Sequence, residues 1–340
     1  MASVVTLKFL GGTKEVGRSA LAISTKKSCV LVDYGVLIER EPGFPMHIPP
    51  KQVDAIIISH AHLDHSGGAP IFYITGKKPL YATPVTIELT ELLVKDFIHL
   101  SGYYLPYEYV DLRTMVESSI PVGYGKWVRV GDISFKLLNA GHIPGSSQVL
   151  IEAEGKRILY TSDFNTIPTR LLRPAKYFEE ELDAIVIEST YADQDHPNGE
   201  ALEKEFIEEV TEVVERGGTV LIPAFSVGRA QEVLCIFEHY QFEYPVTVDG
   251  MAREANEILL RHPKYLRDPK LLSSAISQCI EVGSWRDRRI AVKKPGVIVS
   301  PAGMLRGGPA SFYLQKIAEK PYNAIFLVSY QLPNTPGRIL

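Results

Sequence analysis

The sequence contains few cysteines and no long apolar run. Only Cys29, Cys235 and Cys279 occur among 340 residues, far apart and without a CxxC pair. This pattern indicates neither a disulfide framework nor a cysteine-based zinc site, and it fits a reducing compartment. No apolar run approaches the roughly 18 to 20 residues of a membrane span, and residues 1–10 lack the apolar core of a signal peptide. We therefore expect a cytoplasmic protein that does not enter a membrane.

The sequence also lacks a strong charge of either sign. Its formal net charge of −4 predicts no general attraction to nucleic acid, so a polyanion-binding site would have to be a local basic patch. Hydrophobic residues make up 45% and charged residues 22%, as in ordinary soluble globular proteins. The length suffices for two modest domains or for one domain with a large insert.

The most informative stretch carries three histidines and an aspartate within six positions, in the order His60, His62, Asp64 and His65. It follows residues 54–59, which are short, continuous and β-branched and therefore read as a buried strand. Imidazole and carboxylate groups are the usual zinc ligands of hydrolases. Because His60 and His62 are two positions apart, an extended segment directs both the same way. We expect two adjacent metals, one at His60 and His62 and one at Asp64 and His65.

Other candidate polar residues also follow predicted strands. Asp33 ends the apolar run 30–32, His142 follows a hairpin over 127–138, and Asp163 follows a strand over 157–161. This repeated placement predicts a layered α/β fold with its site along one sheet edge. Asp33 is compatible with two roles, a helix cap or a group that holds a metal-bound histidine.

The second half of the chain alternates strand and helix signals. Strands are predicted over 183–187, 219–222, 246–249, 297–300 and 324–328, and helices over 200–216, 252–261 and 311–318. This alternation is typical of a parallel-sheet domain. Residues 223–232 open another predicted helix, where Ser226 and Arg229 could bind a phosphate at the helix N-terminus.

Two further features concern anion binding. Lys14 and Arg18 lie in a glycine-rich loop, residues 11–19, and could meet an anion, although a solvated hairpin end fits equally well. The loop lacks the glycine spacing of a dinucleotide fingerprint. Residues 285–294 contain five basic side chains against one acidic, which fits an RNA-facing patch or a solvated surface turn.

Several motifs resemble those of a known family. The His-x-His-x-Asp-His run resembles the signature of the metallo-β-lactamase superfamily, and Asp33, His142 and Asp163 match its other motifs. Residues 188–191, Glu-Ser-Thr-Tyr, are similar to motif A of the β-CASP nucleases, and residues 223–232 and 300–308 are similar to β-CASP insert sequence. The motif order resembles that of the short archaeal relatives of the cleavage and polyadenylation specificity factor endonuclease, which lack a KH domain.

The resemblance implies an α/β fold with two domains. Residues 1–195 would form a metallo-β-lactamase αββα sandwich without its C-terminal closing part, and residues 196–340 an inserted α/β β-CASP domain. It also implies two zinc ions: His60, His62 and His142 would bind one, Asp64 and His65 the other, and Asp163 would bridge them.

The expected function is zinc-dependent hydrolysis of single-stranded RNA by two-metal activation of water, in RNA 3′-end processing or 5′-to-3′ decay. Asp64 would orient or deprotonate the water, Asp33 would support a metal ligand, and Glu188 would hold a catalytic histidine of motif B. The candidate RNA phosphate contacts are Lys14, Arg18, Ser226, Arg229 and Arg306.

One departure from the family pattern keeps alternatives open. The family carries two histidines after the insert, motifs B and C, whereas the last histidine here is His262. A longer parent protein or a partner would supply these two histidines. The resemblance implies that the parent protein is a homodimer. The alternative functions are those of a non-catalytic RNA-binding subunit, a DNA nuclease, and a thioesterase or lactonase. Both internal cleavage and attack from a 5′ end remain open.

Overall fold

The computed structural model describes residues 4–38, 41–101 and 104–340. The chain divides into two units: unit 1 contains Met1–Pro168 and Arg173–Ala192, and unit 2 contains Thr169–Leu172 and Asp193–Leu340. The short segment Thr169–Leu172 thus belongs to unit 2 although it lies within the predicted first domain. Among the described residues, no helix combines the length and apolarity needed to cross a membrane.

The first sheet of unit 1 has six strands in chain order: β1 (Thr6–Gly11), β2 (Ala20–Ser24), β3 (Cys29–Val32), β4 (Ala55–Ile57), β5 (Leu80–Ala82) and β6 (Ser119–Pro121). β1 to β3 pair antiparallel, and β3 to β6 pair parallel. The helices of this unit are α1 (Leu63–Ser66), α2 (Pro84–Ser101) and α3 (Tyr109–Glu117). Apolar residues of α2 and α3 pack with those of β3 to β5 in one core.

The second sheet of unit 1 has five strands: β7 (Trp127–Val130), β8 (Ile133–Asn139), β9 (Ser147–Ala153), β10 (Lys156–Tyr160) and β11 (Ala184–Val186). They lie in chain order, antiparallel except that β11 runs parallel to β10. On β8, every second residue from Ile133 to Leu137 is buried. Ile133, Phe135 and Leu137 share a core with Ile23 and Val32 of the first sheet. The two sheets therefore form a sandwich.

Unit 2 is built on a parallel sheet in the order β14-β13-β15-β12-β16. Its strands are β12 (Thr219–Pro223), β13 (Val246–Val248), β14 (Ile280–Glu281), β15 (Gly296–Ser300) and β16 (Ala324–Ile325). Its helices are α4 (Gly199–Glu215), α5 (Arg229–His239), α6 (Met251–Arg261), α7 (Pro269–Gln278), α8 (Trp285–Ala291), α9 (Gly308–Ile317) and α10 (Pro336–Ile339). The central strands are buried on both faces, since Val220 and Ile222 face one core and Leu221 the other.

The predicted fold class is confirmed, with a layered α/β sandwich and a parallel-sheet unit. Three details differ from the sequence prediction. The strand predicted over 324–328 covers only Ala324–Ile325, and residues 285–291 form helix α8 rather than a turn. Helix α5 begins at Arg229, because Gly228 before it adopts a left-handed backbone (φ +86°).

Candidate metal centre

Four strand ends of unit 1 bring the predicted ligands together. Asp33 follows β3, His60 and its neighbours follow β4, His142 follows β8 and Asp163 follows β10. β3 and β4 are adjacent and parallel, with Val32 opposite Ile57, so their carboxyl ends meet. The backbone N–H of Ser147, at the start of β9, donates to the carbonyl of Ser59 at 2.8 Å and joins the second sheet to this edge.

Among the described residues, two groups of side chains could each hold a metal ion. The first group is His60, His62 and His142, and the second is His60, His65 and Asp163. Within each group, the donor atoms all lie within 4.8 Å of one another. In the first group, His62 Nδ1 and His142 Nε2 are 3.1 Å apart. Asp163 faces both groups: its Oδ1 lies 3.3 Å from His65 Nε2, and its Oδ2 lies 3.6 Å from His142 Nε2. A carboxylate in this position can contact two cations.

Asp64 is a member of neither group. Its Oδ2 lies 3.9 Å from His65 Nε2, and its side chain is 28% exposed, more than that of His65. The sequence paired Asp64 with His65 as ligands of one metal. The structure groups His65 with Asp163 and places the partly exposed Asp64 carboxylate beside that group, so the role of Asp64 as a ligand stays a prediction.

Asp33 holds His65 in place. The carboxylate is fully buried, and its Oδ2 accepts hydrogen bonds from His65 Nδ1 at 2.8 Å, from the Ser59 hydroxyl at 2.7 Å and from the Tyr160 hydroxyl at 3.0 Å. Its Oδ1 accepts the backbone N–H of Ser59 at 2.7 Å. Because Nδ1–H is held, His65 Nε2 faces Asp163, as in metal sites where a carboxylate orients the ligating imidazole. Of the two roles left open for Asp33, this contact favours the support of a histidine over a helix cap, and the binding of a metal by that histidine stays a prediction.

His60 provides the test of whether the site fits a metal. Its Nδ1 lies 3.2 Å from the Ser59 hydroxyl and 3.3 Å from the Ser162 hydroxyl. Its Nε2 is buried and has no hydrogen-bond partner among the residues that the structure describes. A buried polar atom without a partner is costly, and a cation among imidazoles and a carboxylate would satisfy it. The donor set therefore fits a transition-metal ion.

Charge coupling across the site is strong. Burial lowers the pKa of His60, and the nearby His65 lowers it further, so His60 is a neutral imidazole. Burial also lowers the pKa of His65, but the carboxylates of Asp163, Asp64 and Asp33 raise it more, well above the usual value. Burial raises the pKa of Asp163, but the charge of His65 outweighs it and holds that pKa well below the usual range. Metal binding at His65 would thus release a proton.

Glu188 caps a turn at the end of β11. Its Oε2 accepts the backbone N–H of Thr190 at 2.8 Å, and its side chain is half-buried. It belongs to neither donor group. Its proposed role toward a further histidine stays a prediction.

The hydroxyl groups around the centre were missed by sequence reasoning. Ser59, Tyr160 and Ser162 form the hydrogen bonds to Asp33 and His60 described above, and Ser59 and Ser162 bond to each other at 2.7 Å. Ser19 Oγ lies 3.3 Å from His65 Nε2. The available signal was adjacency, because Ser59 precedes His60 and Ser162 precedes Asp163 in the sequence.

The predicted phosphate contacts fall into different settings. Arg18 forms an ion pair with Glu15 at 2.6 Å, in the same loop as the exposed Lys14. Ser226 is nearly buried (9% exposed) and lies three residues before α5, so it does not begin the helix as predicted. Arg229 and Arg306 are exposed in unit 2, Arg229 at the start of α5 and Arg306 shortly before α9.

Several known proteins are similar to this chain over nearly its whole length. RNase aCSPSF2 of Saccharolobus solfataricus is 45% identical over 338 residues, covering 98% of this chain and 69% of that protein. Probable RNase MJ4 of Methanocaldococcus jannaschii is 37% identical, covering 98% and 80%. Transcription termination factor FttA of Thermococcus kodakarensis is 38% identical, covering 97% of this chain but only 56% of that protein.

Fold and family comparisons agree with these relatives. A solved structure of a protein of unknown function from Enterococcus faecalis V583 matches with a TM-score of 0.58 and 15% identity, covering 97% of this chain and 88% of that one. At this identity the likeness concerns the fold alone. The model of the metallo-β-lactamase superfamily matches residues 13–204, and the model of the Beta-Casp domain matches residues 230–340. The chain therefore belongs to the metallo-β-lactamase superfamily, within its β-CASP branch of hydrolytic nucleases.

Proposed function

We propose that this chain is a zinc-dependent ribonuclease that hydrolyses phosphodiester bonds of single-stranded RNA. This proposal depends mainly on the position of Asp163, which faces both donor groups. Its Oδ1 lies 3.3 Å from His65 Nε2, and its Oδ2 lies 3.6 Å from His142 Nε2. The names of the relatives, two of them RNases and one a transcription termination factor, support RNA as the substrate. We also propose 1–195 and 196–340 as the domain limits, and a reducing cytoplasm, which the three free cysteines suit.

The proposed ligands are His60, His62 and His142 for one zinc ion and Asp64 and His65 for the other, with Asp163 shared. Bound zinc would supply Lewis-acid polarisation of the phosphate and an acidified water. The protein contributes orientation, since Asp33 fixes the His65 ring and the hydroxyls of Ser59 and Ser162 lie beside Nδ1 of His60.

Asp64 is the proposed proton acceptor at the reacting water. Its carboxylate lies 3.9 Å from His65 Nε2 and remains partly exposed, so substrate and water can reach it while it stays at the edge of the donor group. A general base must lie within hydrogen-bond reach of the proton that it takes. Glu188 is the proposed support for a histidine that protonates the leaving oxygen.

Unit 2 supplies an aromatic and basic surface, defined here as helix α8 and the residues up to 294. Trp285 is 60% exposed, and the Arg288 guanidinium stacks on its ring at 4.6 Å. Arg288 is engaged with the buried carboxylate of Asp249 at 2.7 Å, so it holds the ring rather than a phosphate. The exposed cations of this surface are Arg286, Arg289, Lys293 and Lys294. An aromatic ring among cations is the usual platform for single-stranded RNA.

The phosphate contacts that we propose at exposed cations are Lys14, Arg229 and Arg306. Arg18 could join them by exchanging its ion pair with Glu15 for a phosphate, because an exposed ion pair is worth only about 0–1 kcal/mol. Ser226 is a weaker candidate, since its side chain is nearly buried. Contacts of this kind make RNA binding fall as salt rises.

The deciding experiment incubates the chain with 5′-labelled single-stranded RNA, with and without a zinc chelator, beside a DNA of the same sequence. Chelator-sensitive cleavage of RNA, restored by added zinc, is the expected result, and the product sizes separate internal attack from attack at the 5′ end. RNA binding without cleavage by zinc-loaded protein would instead identify a non-catalytic RNA-binding subunit. Preferential cleavage of the DNA would reject the choice of RNA.

A further inference from the structure

The connection between Asp163 and β11 crosses from one unit to the other and back. We name its residues 165–175 the strap. Asn165 lies two residues after Asp163 in unit 1, Thr169–Leu172 at the tip belongs to unit 2, and the chain returns to unit 1 at Arg173. A segment so close to a candidate metal ligand thus has its tip in the other unit.

The base of the strap is bonded to the loop that carries His142. The backbone N–H of Asn165 donates to the carbonyl of Ala140 at 2.8 Å, and that of Ala175 donates to the carbonyl of Asn165 at 2.7 Å. The Asn139 side chain donates to the carbonyl of Pro174 at 2.8 Å. Gly141 allows this approach, because a Cβ on it would lie 2.7 Å from the Ala175 nitrogen. The strap base therefore joins the loops of His142 and Asp163.

A buried carboxylate of unit 2 accepts two backbone hydrogen bonds from the tip of the strap. Glu232 of α5, 7% exposed, accepts the backbone N–H of Arg170 at 2.7 Å on one oxygen and that of Leu171 at 2.8 Å on the other. A carboxylate is seldom buried unless it is fully hydrogen-bonded. Both oxygens of Glu232 are used on the strap.

Further contacts of the tip strengthen this attachment. The Arg170 guanidinium pairs with Glu203 at 2.6 Å, with both side chains less than 20% exposed. Arg267 donates its backbone N–H to the carbonyl of Leu171 at 2.8 Å. The side chains of Leu171 and Leu172 are buried, at 1% and 5% exposure. The tip is thus bound in unit 2 through its backbone, its charge and its apolar side chains.

We infer that Glu232 is a positioning residue for the metal centre, acting through the strap on the loops of Asp163 and His142. The inference rests on the proposed function in so far as those loops hold metal. Without the bonds to Glu232, the tip restrains the strap base less tightly, and the loops sample wider positions. Residues that orient metal ligands from outside typically change metal affinity about 10- to 100-fold when they are replaced.

The test compares Glu232→Gln with Glu238→Gln in the same chain. Glu238 is a matched control, because it lies on the same helix and bonds Ser274 and Gln278 of α7 rather than the strap. Zinc affinity and the number of bound zinc ions are measured by competition with a chromogenic chelator. We expect Glu232→Gln to weaken the more weakly held zinc about tenfold, and Glu238→Gln to leave it unchanged.

Hydrogen exchange provides a second readout in the same samples. The amides of Asn165 and Ala175 should exchange faster in Glu232→Gln but not in Glu238→Gln. If Glu232→Gln proves too unstable to titrate, Arg170→Ala decides, since it removes the ion pair to Glu203 and leaves α5 intact. For Arg170→Ala we expect zinc affinity to fall about threefold, a smaller change because the Glu232 contacts remain.

Unchanged zinc affinity in a folded Glu232→Gln protein, or in Arg170→Ala where that variant decides, would overturn the inference. Failure of the proposed function would give a different result: the unaltered chain would bind zinc but would not cleave RNA. A chain that binds no zinc at all would reject both.

Discussion

The candidate metal centre of unit 1 and the proposed phosphate contacts of unit 2 are built in opposite ways. At the centre, Asp33, His60 and His65 are buried, and hydrogen bonds at Nδ1 orient the rings of the two histidines. In unit 2, Arg229 and Arg306 are exposed side chains in loops or at a helix start. A site for chemistry requires fixed atoms, whereas a phosphate chain can be followed by mobile cations. Substitutions should therefore separate catalysis from binding.

The largest effect is expected from His62→Ala. It removes a donor of the first group, and losing a ligand costs more than the 10- to 100-fold of an outer partner, so we expect zinc loss and cleavage reduced by about 10³-fold or more. RNA affinity should change little. Zinc content and RNA cleavage are measured beside His47→Ala, an exposed histidine outside both groups. Retained cleavage by pure His62→Ala protein would refute the two-metal account.

Asp33→Asn should weaken zinc binding about 10- to 100-fold, because the amide no longer offers His65 a charged acceptor. Both partners are buried, so the free energy of unfolding of the zinc-free protein should also fall, by about 3–5 kcal/mol. Zinc competition and denaturant unfolding measure the two effects. Asp132→Asn, at a carboxylate that bonds Thr25, is the control for both. Equal zinc affinity in both variants would contradict the proposed role of Asp33.

Trp285→Ala should weaken binding of single-stranded RNA by about 1–3 kcal/mol, the usual effect of one stacked base, without changing zinc content. Trp127→Ala is a matched control, because Trp127 is also exposed and also carries a cation, Lys136, over its ring at 4.7 Å. Filter binding or fluorescence titration measures the affinities. Equal losses in the two variants would show that the surface of α8 has no special part in binding.

The smallest effect is expected from Arg229→Ala, alone and with Arg306→Ala. Each lost phosphate contact should reduce the slope of log affinity against log salt by about 0.7 for a single strand. Zinc content should stay as in the unaltered chain, which sharpens the contrast with the metal centre. Arg216→Ala, which removes an exposed arginine beside Glu212, is the control. A salt slope unchanged in the double variant would exclude both arginines as contacts.

The sequence predicted best where the information was local. His60, His62 and His65 follow one strand, so their spacing alone predicted ligands of two adjacent metals. The role of Asp33 could not be decided, because its partner Ser59 lies 26 positions away and only the pairing of β3 with β4 brings them together. Glu232 carried no sequence signal, since it bonds an amide 61 positions away.

Local backbone geometry explains the other differences. Ser226 was placed at a helix N-terminus, but Gly228 turns the chain first and α5 starts at Arg229. Helices α3, α7 and α8 are short and were not predicted, because few turns define an apolar face only weakly. The distance of 3.9 Å between Asp64 Oδ2 and His65 Nε2 also depends on the turn into α1. The spacing of residues in the sequence does not specify that turn.

The threading of Thr169–Leu172 into unit 2 limits how this protein can be divided. A fragment of residues 193–340 would lack the amides that bond Glu232, and it would expose the apolar surface that Leu171 and Leu172 cover. Such a fragment should be poorly soluble, since a bare apolar surface favours association. Supplying residues 165–175 as a separate peptide should restore solubility. The second unit therefore cannot be transferred to another protein as one continuous segment of the chain.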